Sequence, residues 1–82
     1  MVMATNIKVE FTIEPWVDGD PPERVNKCIE AIEALGISVE LGPFGTTFVA
    51  TAEVAGPAVS ALISTAYAHG ATHVSIDVEK VD

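Results

Sequence analysis

The chain has 82 residues, enough for one domain with a single thin core. Twelve acidic side chains against four basic ones give a net charge of -8, which disfavours nucleic acid and anionic membrane surfaces and leaves cationic or neutral ligands as the easier partners. No apolar run approaches the roughly 18 to 20 residues of a membrane span, and the lone Cys28 excludes an internal disulfide.

A single unpaired thiol fits a reducing cytoplasm. Residues 1–5 have neither a charged leader nor an apolar stretch behind it, so a frayed terminus is expected in place of a signal peptide. From Ile7 the chain alternates strictly, with Ile7, Val9, Phe11 and Ile13 on one face and Lys8, Glu10, Thr12 and Glu14 on the other, the pattern of a strand with one buried side. Pro15 stops it, and a loop from Trp16 to Asp20 follows.

Asp20 is placed to cap a helix, with Pro21 at the first helical position and Glu23 three residues beyond the cap. Val25, Cys28, Ile29, Ile32 and Leu35 then recur at helical spacing, and Gly36 supplies a left-handed stop. Within that stripe Cys28 reads as a small buried hydrophobe, since no neighbouring histidine or helix start lowers its pKa.

Ile37, Val39 and Leu41 alternate with Ser38 and Glu40, and a Thr-, Phe- and Val-rich run begins after Gly42-Pro43-Phe44-Gly45. The segment predicts an antiparallel hairpin. Gly56-Pro57 signals a second helix start, Val59, Leu62, Ile63 and Ala66 form its stripe, and His69-Gly70 ends it. That helix is rich in alanine and poor in charge, which predicts cover on more than one side, by the sheet and by another subunit. A last strand over residues 72–81 puts Val74, Ile76 and Val78 on one face and His73, Ser75, Asp77 and Glu79 on the other.

The order β-α-β-β-α-β specifies an α+β, ferredoxin-like domain over residues 1–82, a four-stranded antiparallel sheet with both helices on one face and strands one and three central. Ile7, Val9, Phe11, Ile13, Ile37, Val39, Leu41, Phe48, Val74, Ile76 and Val78 should face the helices. The open face is then polar and acidic, with Glu10, Thr12, Ser38, Glu40, Thr47, Val49, Thr51 and Asp77 among its residues. Tracing the strands brings three connections to one end: the Trp16 loop, the Gly42 to Gly45 turn and the His69 to Thr72 turn. Trp16 and Phe44 would offer aromatic faces there, Asp18 and Asp20 charge, and Thr46 and Thr47 hydroxyls, a set suited to a flat cationic or heteroaromatic molecule.

Reactive machinery is not legible. No nucleophile sits beside a base, no glycine-rich phosphate loop marks a cofactor, and Gly70 separates His69 from His73, so no metal pair is expected and His69 is better read as a partner of the helix C-terminus. The expectation is a protein without catalysis or cofactor.

Three segments carry a resemblance: residues 9–15 (VEFTIEP), residues 34–46 (ALGISVELGPFGT) and residues 70–78 (GATHVSIDV). Together they resemble the small YkoF-like proteins that bind thiamine or its hydroxymethylpyrimidine moiety. The resemblance implies a dimer or tetramer that binds such a ligand as carrier or sensor, with Glu10, Thr12, Glu40, Phe44 and Thr46 at the matching positions. Phe44 stands where that family has Met, and Thr72-His73 where it has a basic lead to the last strand. Glu10→Gln and Trp16→Ala are each expected to weaken thiamine binding. Two rival expectations are an ACT-like regulatory module that binds an amino acid or another small effector between subunits, and a metal-dependent or cofactor-free enzyme, which would require His73, Asp77 and Glu79 to converge with a second strand.

Overall fold

The strict alternation of the first segment folds as β1 (Asn6–Glu14), whose Val9, Phe11 and Ile13 are buried. A computed structural model of the protein describes residues 5–16, 19, 21–43 and 45–81. After β1 come α1 (Glu23–Glu33), β2 (Val39–Leu41), β3 (Thr46–Thr51), α2 (Ala52–Ala68) and β4 (His73–Lys80). All pairings are antiparallel and the sheet order is β2-β3-β1-β4, which puts β1 and β3 in the centre, the ferredoxin-like arrangement.

Register fixes the two faces. Val9 stands between Phe48 and Val78, Phe11 between Thr46 and Ile76, and Val39 opposite Phe48, so these side chains share the helix side. Val9, Phe11, Ile13, Ile37 and Phe48 meet Val25, Cys28 and Ile32 of α1 and Ala55, Ala58, Leu62 and Ala66 of α2 in one core, where the Phe11 and Phe48 rings lie 6.5 Å apart and tilted. Alanines and a cysteine at the contact let the helices come close enough for the Cys28 thiol to donate to the Leu62 carbonyl at 3.6 Å.

Several sequence expectations need correction. α1 begins at Glu23, two residues later than Pro21 would have it, and Pro22 holds the N-cap position in extended conformation (φ -65°, ψ 161°). A residue followed by proline is pushed out of the helical region, so Pro21 cannot be helical ahead of Pro22. The proposed cap, Asp20, lies outside the described residues. Leu35 falls beyond the helix and is 45% exposed.

α2 starts at Ala52, directly after β3, and Gly56-Pro57 lies inside it. Pro57 removes one rung of the hydrogen-bond ladder. Gly56, having no Cβ, escapes most of the clash that a following proline imposes, so the helix runs through. The buried stripe differs from the expected one: Ala55, Ala58, Leu62 and Ala66 are buried, Val59 is half-buried, and Ile63 is exposed.

On the sheet, β2 begins at Val39, which leaves Ile37 and Ser38 outside a strand, although Ile37 is buried. Leu41 and Val78 lie on the helix side by register yet are 47% and 51% exposed, because both sit on edge strands at the margin of the helical layer. Gly36 and Gly70 adopt positive φ (83° and 91°), as left-handed stops behind the helices require.

Candidate functional site

The end of the sheet where β1 leaves and β3 enters is held by backbone contacts. The Glu14 carbonyl accepts hydrogen bonds from the Thr72 amide (2.8 Å) and hydroxyl (3.3 Å), so the lead of β4 anchors the end of β1. Across the sheet the Gly42 amide donates to the Gly45 carbonyl (2.9 Å) and closes the β2-β3 connection. Gly45 lies so close to β1 that a Cβ there would come within 3.1 Å of Glu10 Cγ and 3.3 Å of the Phe11 carbonyl. A side chain there would force Glu10 or the Phe11 backbone to give way by a few tenths of an ångström, which glycine avoids.

Between these segments lies a cavity of about 320 Å³. β1 contributes Phe11, Thr12, Ile13 and Glu14, the loop after it Trp16, α1 Val25, and the hairpin Gly42, Pro43, Gly45 and Thr46. Phe11, Ile13 and Val25 are at most 2% exposed and form an apolar floor. Thr46 is buried to 4% exposure on the same side, a hydroxyl in an otherwise apolar setting. Trp16, 53% exposed, brings an indole to the cavity, and Glu14 brings a carboxylate that is exposed to solvent. No cationic side chain lines the cavity among the described residues. Such a surface can stack a flat ring, offer the hydroxyls of Thr12 and Thr46, and favour positive over negative charge.

The residues expected from sequence divide between this cavity and the open face. Thr12, Trp16 and Thr46 line the cavity. Glu10 borders it through its contact with Gly45, and on the open face it lies with Thr12, Ser75 and Asp77 around a shallow depression. Glu40 and Thr47 are cross-strand partners on the open face, in the same row as Glu10, and flank a broad groove beside β2. Phe44, like Asp18 and Asp20, lies outside the described residues. Of the three connections expected at this end, the first two line the cavity, and the turn before β4 braces it through Thr72.

Sequence reasoning passed over Val25, Glu14, Pro43 and the two glycines. Val25 belongs to a helical stripe that reads as core, and nothing in periodicity separates a core position from a cavity floor. Gly42 and Gly45 carried a signal, a Gly-Pro-x-Gly turn, but as turn formers only. Among the histidines, His69 Nδ1 lies 2.9 Å from the Thr65 carbonyl at the C-terminus of α2, and His73 Nδ1 lies 3.9 Å from a Glu14 carboxylate oxygen. No group of His, Cys, Asp and Glu able to hold a metal ion occurs among the described residues. Burial pushes the Cys28 thiol up to about 11, which keeps it protonated at neutral pH.

These features define a ferredoxin-like α+β protein with a ligand-sized cavity at the hairpin end of its sheet. No family model and no curated protein sequence matches the chain. Solved structures do. A domain of unknown function, DUF77, from Bacillus cereus aligns over 96% of this chain and 77% of its own with a TM-score of 0.69 at 21% identity. A candidate thiamine biosynthesis or salvage protein from Thermotoga maritima aligns over 94% of this chain and 83% of its own with a TM-score of 0.67 at 24% identity. A hypothetical protein from Methanocaldococcus jannascii aligns over 94% and 79%, with a TM-score of 0.62 at 19% identity. At such identities the likeness establishes the shared fold. Among the described residues, no helix is long and apolar enough to cross a membrane.

Proposed function

We propose that this protein binds thiamine or its hydroxymethylpyrimidine moiety without transforming it, as a cytoplasmic carrier or sensor that works as a YkoF-like homo-oligomer. The observation that carries the reading is the cavity itself. It combines an apolar floor, an indole, a buried hydroxyl and a carboxylate, with no cation among its described lining residues. An aminopyrimidine needs a ring to stack on and polar groups for its nitrogens, and a thiazolium needs negative charge or an aromatic face. A volume of about 320 Å³ falls at the lower end of pockets that hold one small molecule, roughly 300 to 1,000 Å³.

Two further observations support parts of the reading. The fold is shared with the Thermotoga candidate thiamine protein. The thiol is buried and kept protonated, which argues against its use as a nucleophile. Oligomerisation draws support from α2, whose outward Val54, Ile63 and Tyr67 are exposed.

Calorimetric titration with thiamine and with hydroxymethylpyrimidine tests the proposal, combined with mass spectrometry of the recovered ligand. Saturable binding with the ligand returned unchanged is expected. No heat and no thermal stabilisation with either compound would end the ligand assignment, and a chemically altered ligand would end the non-catalytic one.

A further inference from the structure

Arg24 is one of only four cationic residues in an acidic chain, yet its side chain does not point its whole head into water. From the first turn of α1 it reaches back nine residues, and its Nη2 donates to the Pro15 carbonyl at 2.6 Å, a short charge-assisted bond. Its Nε is sealed from solvent and has no hydrogen-bond partner among the described residues. A surface arginine present only for solubility would hydrate that nitrogen by swinging outward. Its position is therefore set by packing and by the grip on Pro15.

Pro15 lies between two features of the cavity. The carbonyl before it, that of Glu14, is held by Thr72, and the residue after it is Trp16. The neighbour of Arg24 on the helix, Val25, is part of the cavity floor. The chain leaving β1 is thus clamped at two successive carbonyls, by Thr72 ahead of β4 on one side and by α1 on the other, immediately ahead of the indole. We propose that Arg24 is a positioning residue: its bond to the Pro15 carbonyl fixes Trp16 as a wall of the cavity. The structural claim stands on the contacts alone, and its consequence for ligand affinity rests on the function proposed above.

Trp16 is the sole tryptophan, so its fluorescence reads the clamp directly in ligand-free protein. Acrylamide quenching and emission anisotropy are compared for the unmodified protein, Arg24→Met and Arg24→Lys, with circular dichroism to establish that each is folded. Arg24→Met should raise the quenching constant about twofold and lower the anisotropy, and Arg24→Lys, which keeps a cationic donor, should recover part of both. Arg24→Gln, too short to span the gap, replaces Arg24→Met if the latter does not fold.

A purely structural arginine would lower the melting temperature and leave the native quenching unchanged, and that outcome overturns the proposal. In a second arm, thiamine should bind Arg24→Met roughly tenfold more weakly, the scale of one charge-assisted hydrogen bond. Failure of the unmodified protein to bind thiamine would count against the function alone, because the ligand-free fluorescence still decides whether Arg24 holds Trp16.

Discussion

At the hairpin end of the sheet Thr46 is buried beside Phe11 and Ile13, with Trp16 and the Gly45 turn closing around them. On the open face of the same strands Glu40, Thr47, Glu10 and Asp77 form one row across all four strands, and each acidic member is exposed. The row carries more charge, but water surrounds it and salt screens it within about 10 Å. The cavity carries an exposed carboxylate, Glu14, at its rim and a buried hydroxyl, Thr46, on its apolar side, where a polar contact counts for more. Selective binding of a small ring should therefore belong to the recessed hairpin end, while the row tunes solubility and long-range attraction of cations.

This contrast can be broken most strongly from its buried side. Cys28 packs under the sheet with its thiol raised from 9.0 to about 11 by desolvation. The native state holds the proton more tightly than the unfolded chain, so the stability gained is fully present below about pH 9 and is lost as pH rises through about 11. The loss amounts to about 2 to 3 kcal/mol. Denaturant titrations across that window should show this slope in the unmodified protein and a shallower one in Cys28→Ala; equal slopes would mean that the thiol is not desolvated.

Next in size is Trp16→Ala, expected to weaken thiamine binding by about 10- to 100-fold through loss of the stacked indole. Thr46→Val keeps the shape and removes the hydroxyl, for a loss of about tenfold in calorimetry with little change in melting temperature. Glu40→Gln and Thr47→Ala, on the open face, should change affinity by less than about twofold, in keeping with the small worth of exposed charges. Asp77→Asn tests the row through stability in place of affinity. Asp77 stands directly opposite Glu10, a like-charge pair, so its neutralisation should stabilise the fold by about 0.2 to 1 kcal/mol. The gain should shrink in high salt. A variant less stable than the parent would show that the row is held by something other than repulsion.

Much of this architecture was legible because alternation and helical spacing act locally. Val9, Phe11 and Ile13 announce a buried strand face, and Gly36 and Gly70 announce helix ends, whatever surrounds them. What escaped depends on neighbours in space. Pro57 reads as a helix start, yet Gly56 ahead of it lets α2 begin five residues earlier, at Ala52. Leu41 and Val78 read as core by parity, yet edge strands leave them uncovered. The candidate site divides in the same way. Trp16 and Thr46 were recognisable from their loop and turn and Thr12 through the family resemblance alone, whereas Val25 was hidden in its own stripe and Arg24 gave no sign of its reach to Pro15. Alternation assigned Glu40 and Thr47 to a face; a cavity at a strand end draws on both parities and on loop backbone.

Nitrogen-15 correlation spectra of this 8.6 kDa chain, recorded through a thiamine titration, map the contact surface residue by residue. The largest shifts should fall on residues 11–16 and 42–46 and on the Trp16 indole. Shifts concentrated on Glu40, Thr47 and Asp77, or none at saturating ligand, would contradict binding in the hairpin-end cavity.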